Sequence, residues 1–447
     1  MTRVNVFKAT ALLFLSGICC QGYSQGNTLV MSLEECLSYA KEHSITLKQK
    51  ELNLDDYKIE VESAKSKFLP SVSGSVSQSM TNTPFKESQS GFAESVTKSS
   101  YSGSYGANMS MTLYKGGENA LSLKQSKLYT QIGELGIKEA ENSIELSITQ
   151  VYVEILYAID MIEVAKVSLE LSLKNIERGD VMLKVGSMNE ADYAQLVTNE
   201  ATARYNLVAA QTSLRNKYVE LKQLLEITDS TELRIDTSEL NSDGLTSSIP
   251  SVGEVYLSAM DIRPEIAARS LYVESAKINK QIAKAGFLPT LSLSAGIGIN
   301  HSTNSSYTFS DQLNNNYNHS VGLNLSIPIF SRFENRQAVA KSKNAIKYAA
   351  LSYDEESKNL YKTIETLHNN AQNAKAMYVV SKSKLEALTK SLALVTKQYE
   401  VGAKNIIELL TEQSDLRESS QEYLESKYTL IYNIAILEFY KSGIIKL

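Results

Sequence analysis

Phe68-Leu69-Pro70-Ser71-Val72-Ser73 returns as Phe287-Leu288-Pro289-Thr290-Leu291-Ser292, an offset of 219 (287 − 68). The same offset pairs Ser32 with Ser251, Glu35 with Glu254, Ala40 with Ala259 and Leu47 with Ile266. Farther along, Glu118-Asn119 returns as Glu334-Asn335, and Val185-Gly186-x-x-Asn189 as Val401-Gly402-x-x-Asn405, both at an offset of 216 (334 − 118). Ordered matches with a single change of register identify an internal duplication. The change falls between the Phe-Leu-Pro site and Glu118, where a loop absorbs it.

Each unit reads as helix, strand, loop, strand, long helix, tight turn, helix. All six prolines stand at 70, 84, 250, 264, 289 and 328, so none interrupts 85–249 or 329–447. A proline inside a helix costs about 3 kcal/mol, so these stretches can be helical throughout. Ile144, Ile148, Val151, Ile155, Ile159 and Ile162 form an apolar stripe in the first unit, and Leu385, Leu388, Leu392, Val395 and Tyr399 form one in the second. Steps of three and four residues put each stripe on one helix face, ready to pack on neighbours. Glu118 to Lys184 is 67 residues, about 100 Å of helix. Gly186 and Gly402 then reverse the chain, because so abrupt a turn needs a residue tolerant of positive φ. The first return helix is expected to end near Ile227.

After each Phe-Leu-Pro the period changes to two. Val72, Gly74 and Val76 alternate with serines, and Tyr101 to Leu113 alternates Tyr, Met and Ala with Ser, Asn and Thr. Leu291 to Asn300 and Val321 to Ile329 repeat the pattern with Leu and Ile. Such strands have one apolar face and one small, uncharged polar face. Runs of about ten residues or more fit a membrane-spanning barrel better than a soluble sheet. The 25 Tyr and no Trp leave Tyr to supply an interfacial belt. Four strands cannot close a barrel. Two chains would give about eight strands and a filled interior, three about twelve and an open pore. The Ser-, Thr- and Asn-rich stretches 81–100 and 301–317 read as extracellular loops.

The first residues read as a secretion signal: Arg3 and Lys8, the apolar stretch from Ala9 to Ile18, then small residues before a cut after Ser24. Cys19 and Cys20 fit a lipidation site poorly. Cleavage leaves Cys36 alone, a small apolar core residue with no disulfide partner. No later stretch is long and apolar enough for a membrane helix, so a membrane span here would be a closed barrel. A net charge of −5 offers no basic face for nucleic acid. His43, His301, His319 and His368 are scattered and sit beside no nucleophile or metal-ligand spacing, so neither enzyme, metal site nor cofactor is expected.

The duplicated Phe-Leu-Pro junctions, the strand-to-helix exits and the turns Val185-Gly186-Ser187-Met188-Asn189 and Tyr399-Glu400-Val401-Gly402-Ala403-Lys404-Asn405 resemble the TolC-like outer-membrane efflux family over nearly all of the mature chain. The resemblance implies a mainly α protein with a membrane β-barrel, each repeat contributing two transmembrane strands and a long helical hairpin. It implies a homotrimer with a 12-stranded barrel and an α-helical periplasmic tunnel. The chain would be divided as a signal at 1–24, repeats at 25–227 and 251–447, and an equatorial segment at 228–250. It would work in the outer membrane of a Gram-negative bacterium, embedded in outer-membrane lipid, as the exit duct for a periplasmic adaptor and an inner-membrane pump. By the same resemblance Tyr399 and Lys404 hold Asp192 to shut the periplasmic end, and Glu408 lines the constriction. Thr411 stands where relatives carry a second acid, with Glu412 adjacent. Val185, Gly186, Ser187, Asn189, Val401, Gly402, Ala403 and Asn405 would meet the adaptor, and Pro70 and Pro289 would mark the helix-to-strand junctions. The alternatives are a periplasmic coiled-coil adaptor without a pore, which needs only one hairpin and a globular module, and an outer-membrane protein that uses the fold for attachment or signalling.

Overall fold

The structure, a computed structural model, describes residues 28–89, 92–228, 232–237 and 249–447. The leader, with Cys19 and Cys20, lies outside them. In chain order the elements are β1 (Thr28–Met31), α1 (Leu33–His43), α2 (Ile45–Ser66), β2 (Ser71–Gln89), β3 (Phe92–Lys115), α3 (Glu118–Lys184) and α4 (Glu190–Leu224). There follow β4 (Glu232–Ile235), α5 (Val252–Ile262), α6 (Pro264–Ala285), β5 (Thr290–Ser302), α7 (Phe309–Asn315), β6 (Tyr317–Ser326), α8 (Glu334–Glu400) and α9 (Ile406–Ser442). Both long helices, α3 and α8, have 67 residues.

The two Phe-Leu-Pro junctions are built alike. In each, the Phe and Leu amides close a last turn onto the entering helix: Phe68 N to Lys65 O (3.1 Å) and Leu69 N to Ser66 O (2.9 Å), then Phe287 N to Lys284 O (3.1 Å) and Leu288 N to Ala285 O (2.9 Å). Pro70 and Pro289 have no N–H to continue the helix, and a strand starts at the next residue. The outgoing long helix is tied back to this turn. Asn119 Nδ2 donates to Lys67 O (3.3 Å), and Asn335 Nδ2 donates to Gly286 O (2.5 Å). The repeated Asn is therefore a clamp between entering and leaving helices.

β2, β3, β5 and β6 form one antiparallel sheet in that order. Its register puts Val72, Met109, Ala295 and Val321 in one row and Val76, Tyr105, Ile299 and Tyr317 in another. The opposite face carries rows such as Ser71, Ser110, Ser294 and Gly322. Directly paired residues share a face, so the sheet has one apolar and one small polar side. The pairing of β3 with β5 joins the two repeats; a bulge near Leu113 shifts its register where the sheet nears the helices. β2 and β6 are its two free edges.

Four expectations are corrected. Residues 81–100 are not an open loop: β2 runs to Gln89 and β3 starts at Phe92, so the hairpin is strand on both sides of 90–91. Two strands satisfy each other's amides without an apolar face, which composition alone does not reveal. Within 301–317, Thr308 caps the short helix α7, its Oγ1 accepting from Asp311 N at 3.2 Å. β6 stops at Ser326, before Pro328, so Ile327 and Ile329 lie beyond the ladder. The first return helix ends at Leu224, because Glu226 turns to φ 57°.

The main core sits midway along the long helices. Ile148, Val151 and Ile155 of α3 pack with Cys36 of α1, Leu221 of α4, Leu233 of β4, and Leu424 and Leu430 of α9. β4 lies parallel to β1, closing this belt from both ends of the first repeat. Cys36 is fully buried, and burial pushes its thiol up to about 12. A second cluster joins Val255, Ile266, Ile364 and Leu437. Beside it Arg263 is buried, paired with Glu265 at 3.0 Å, with its guanidinium over the rings of Phe439 (4.7 Å) and Tyr440 (4.3 Å). Arg serves here because its flat, weakly hydrated cation stacks on rings. Among the described residues, no helix is long and apolar enough to cross a membrane.

Phe439→Ala removes a fully buried ring and one face of the Arg263 cage. It is expected to cost about 3–5 kcal/mol in denaturant unfolding. Tyr428→Phe, which removes only the hydroxyl bonded to Asp160 Oδ2 at 2.8 Å, is expected to cost about 1–3 kcal/mol.

Candidate functional site

The two hairpin tips are the same device. At the first, Gly186 N donates to Leu183 O (3.1 Å) and Ser187 N to Met182 O (2.8 Å). At the second, Gly402 N donates to Tyr399 O (3.1 Å) and Ala403 N to Gln398 O (2.8 Å). These paired bonds end a helix on a left-handed residue, and Gly186 and Gly402 stand at φ 76° and 77°. The next helix is then capped by an Asn. Asn189 Oδ1 accepts from Asp192 N (2.7 Å), and Asn405 Oδ1 accepts from Glu408 N (2.9 Å). Glu408 Oε2 accepts in return from Asn405 N (3.0 Å), completing a capping box. Asn189 Nδ2 donates to Asp192 Oδ2 at 3.0 Å. The Asn-x-x-acid spacing was open to reading in the sequence, and it gives Asn189, Asp192, Asn405 and Glu408 a local role at the tip.

Val185 and Val401 are 70% and 80% exposed, and Ser187 and Ala403 are exposed beside them, so both tips present small and apolar groups outward. Behind the tips a four-helix cluster gathers Leu196 of α4, Leu392 and Tyr399 of α8, and Ile406 and Leu409 of α9. Gly179 of α3 lets Leu196 in: a Cβ there would stand 2.5 Å from Leu196 Cδ1.

The expected gate residues are only partly brought together. Tyr399 is buried in that cluster. Burial raises its phenol above the usual range, Arg178 nearby lowers it, and Asp192 raises it, so Asp192 and Tyr399 feel each other. Among the described residues no hydrogen bond joins them. Lys404 Nζ, in the turn before α9, is given to Glu408 Oε1 in the first turn of that helix, not to Asp192. That bond and the Asn405 amide hold the Glu408 carboxyl below the usual carboxylate range. The Thr411 side chain is exposed, its Oγ1 donating to Ile407 O (2.9 Å), and the adjacent Glu412 is half-buried.

Two inter-hairpin ties were missed. Arg178 of α3 pairs with Glu400 of α8 at 3.1 Å, and Asn175 Nδ2 of α3 donates to Gln413 Oε1 of α9 at 3.0 Å. Neither has a motif, since each depends on how two distant hairpins align. Arg178→Glu would set two acids face to face. Amide exchange around 176–190 and 399–410 is expected to rise about twofold to fivefold, and adding Glu400→Arg to restore it.

The profile of the outer membrane efflux protein family matches residues 36–226 and 255–438, which takes in both repeats. Outer membrane protein TolC of Escherichia coli is 22% identical over 317 residues, or 66% of this chain; the chain spans 60% of that relative's length. Outer membrane protein TolC of Vibrio cholerae is 21% identical over 335 residues, 74% of each chain. Alkaline protease secretion protein AprF of Pseudomonas aeruginosa is 22% identical over 298 residues. Among solved structures, CusC, studied for transmembrane channel formation, superposes with a TM-score of 0.77 at 19% identity over 94% of each chain. The Campylobacter jejuni CmeC outer membrane channel gives 0.75 at 16% identity, over 98% of this chain and 95% of its own. The fold of this chain, over almost its whole length, is therefore that of these channels. The chain is a Gram-negative outer-membrane protein and belongs to the outer membrane efflux protein family.

Proposed function

We propose that three copies of this chain form the exit duct of a tripartite efflux or type I secretion system. The observation that carries this reading is the four-stranded sheet with two free edges, an apolar face and a small polar face, running into two 67-residue helices. Three such sheets, joined β6 to β2, would close twelve strands around a wet lumen with the apolar side in lipid. The leader 1–24 would be removed on export. The equatorial segment 228–250 would pass between the repeats 25–227 and 251–447. The duct does no chemistry of its own: it needs no cofactor or metal and takes no nucleic acid.

The periplasmic end is shut, in this reading, by the tips just described. Glu408 from three copies would ring the opening, each carboxylate held by Lys404 and the Asn405 amide. Arg178 with Glu400 and Asn175 with Gln413 are the ties between hairpins nearest the tips, while Asp192 reaches Tyr399 only as a nearby negative charge that raises its phenol. The exposed tips, with Val185, Gly186, Ser187, Val401, Gly402 and Ala403, would dock the periplasmic adaptor, which links the duct to its inner-membrane pump.

The test is photo-crosslinking in living cells from an unnatural residue at Ser187 or Ala403. Capture of one periplasmic adaptor at both positions is expected. Capture of no adaptor, with the protein folded in the outer membrane, would overturn tripartite export.

A further inference from the structure

Between the hairpins, α3, α4 and α9 enclose a groove of about 480 Å³, well above the tips. Its walls are apolar: Val164, Val167 and Leu171 from α3, Ala203 from α4, and Leu416 and Leu424 from α9. A volume of this size suits a drug-sized molecule. Polar groups enter from two sides, as Asn199 and Asn206 of α4 and Gln413 of α9. Gln413 already accepts from Asn175 through Oε1, which leaves its amide nitrogen as a donor.

The charged groups on the lining are not equivalent. Asp160 is engaged: it accepts from Tyr428 Oη at 2.8 Å and lies 3.5 Å from Lys427 Nζ. Glu163 is paired with Lys166 at 3.3 Å. Arg417 is half-buried and has no acidic partner among the described residues; its Nη2 donates to Ser414 Oγ at 3.3 Å. Both acids of the lining are thus compensated, and the surplus in the groove is one guanidinium. Arginine stays charged at any accessible pH, and its planar fork matches a carboxylate, sulfonate or phosphate in two parallel bonds.

We propose that this groove binds organic anions with an apolar body, the anionic head on Arg417 and the body against Val164, Leu171 and Leu424. Gln413 is shared between the groove and the tie to Asn175, so an occupant touches the same residue that links α3 to α9. The inference is independent of the adaptor reading, since it concerns a small molecule between two hairpins of one chain.

The experiment uses the purified full-length protein in amphipol and isothermal titration with naphthoate, against naphthylmethanol as its neutral isostere. Naphthoate is expected to bind more tightly than the alcohol. Arg417→Gln is expected to weaken naphthoate about tenfold or more and leave the alcohol unchanged. Arg417→Lys, which keeps the charge and loses the fork, is expected to fall between. Val167→Trp, at a half-exposed wall position, fills the groove and is expected to weaken both. Gel filtration confirms that each variant keeps its assembly. Absent naphthoate binding, equal binding of acid and alcohol, or an Arg417→Gln affinity matching the parent would overturn the proposal.

Discussion

Backbone amides at membrane depth have no water to bond to, so each must find a partner in protein. A sheet that ends on β2 and β6 leaves two rows of such groups unmet, and among the described residues no other strand pairs with them. The sheet's two-faced character makes that constraint decisive. Its apolar side suits lipid and its serine and glycine side suits water, and among the described residues only the short helix α7 packs appreciably against it, on β5. Closure by further copies, as in the proposed duct, would meet the two unpaired rows and would fix the placement of everything below. Each strand pair delivers a helix at each junction, and the asparagine clamps at Asn119 and Asn335 set the angle at which those helices leave.

Duplication gave two copies of one backbone, and the differences between them show where the copies have separate work. At the strand-to-helix exit, the first repeat uses Gly116 and Gly117 at φ 58° and 78°. Arg332 and Phe333 hold the same left-handed conformations at the matching positions, φ 49° and 66°. For residues with a Cβ that geometry costs about 1–2 kcal/mol each. Gly116 has a steric reason as well, since a Cβ there would stand 2.7 Å from Ala285 O. The strand pairs differ too: the β2–β3 hairpin runs well past the end of β5, whereas the β5–β6 connection folds into α7. At the tips the turns and caps coincide, but Tyr399 and Lys404 replace Leu183 and Met188 of the first repeat. The polar equipment of the tip is thus concentrated on the second hairpin.

Much of this architecture was legible because it rests on local chemistry. The ends of α3 at Glu118 and Lys184 follow from Gly117 and the Val185-Gly186 turn, and the faces of the strands follow from alternation. What depends on partners was not legible. The polar ribbon at 81–100 looks like loop because nothing in its composition reveals that its two halves bond to one another. The short helix α7 is signalled only by Thr308 and Asp311, three residues apart within a Ser- and Asn-rich stretch. At the candidate gate the glycine turns were read from the sequence, and the capping roles of Asn189 and Asn405 came only with the structure. The Arg178–Glu400 pair was not, because it joins residues 222 positions apart (400 − 178) whose meeting is decided by hairpin packing. Lys404 went to Glu408 for a simple reason: the cap at Asn405 folds the turn so that the lysine stands beside the first-turn acid four residues on.

The claim on which the rest depends is that β6 of one copy pairs with β2 of the next. Single cysteines at Ser73, Ser75 or Ser77 on β2, each combined with one at Ser320 on β6, test it in intact outer membranes under mild oxidation. The natural Cys36 is buried and does not interfere. One of the three combinations is expected to crosslink, giving a ladder that stops at three chains. A ladder that stops at two or continues past three, or no crosslink in any register from protein that is folded and inserted, would contradict closure by three copies.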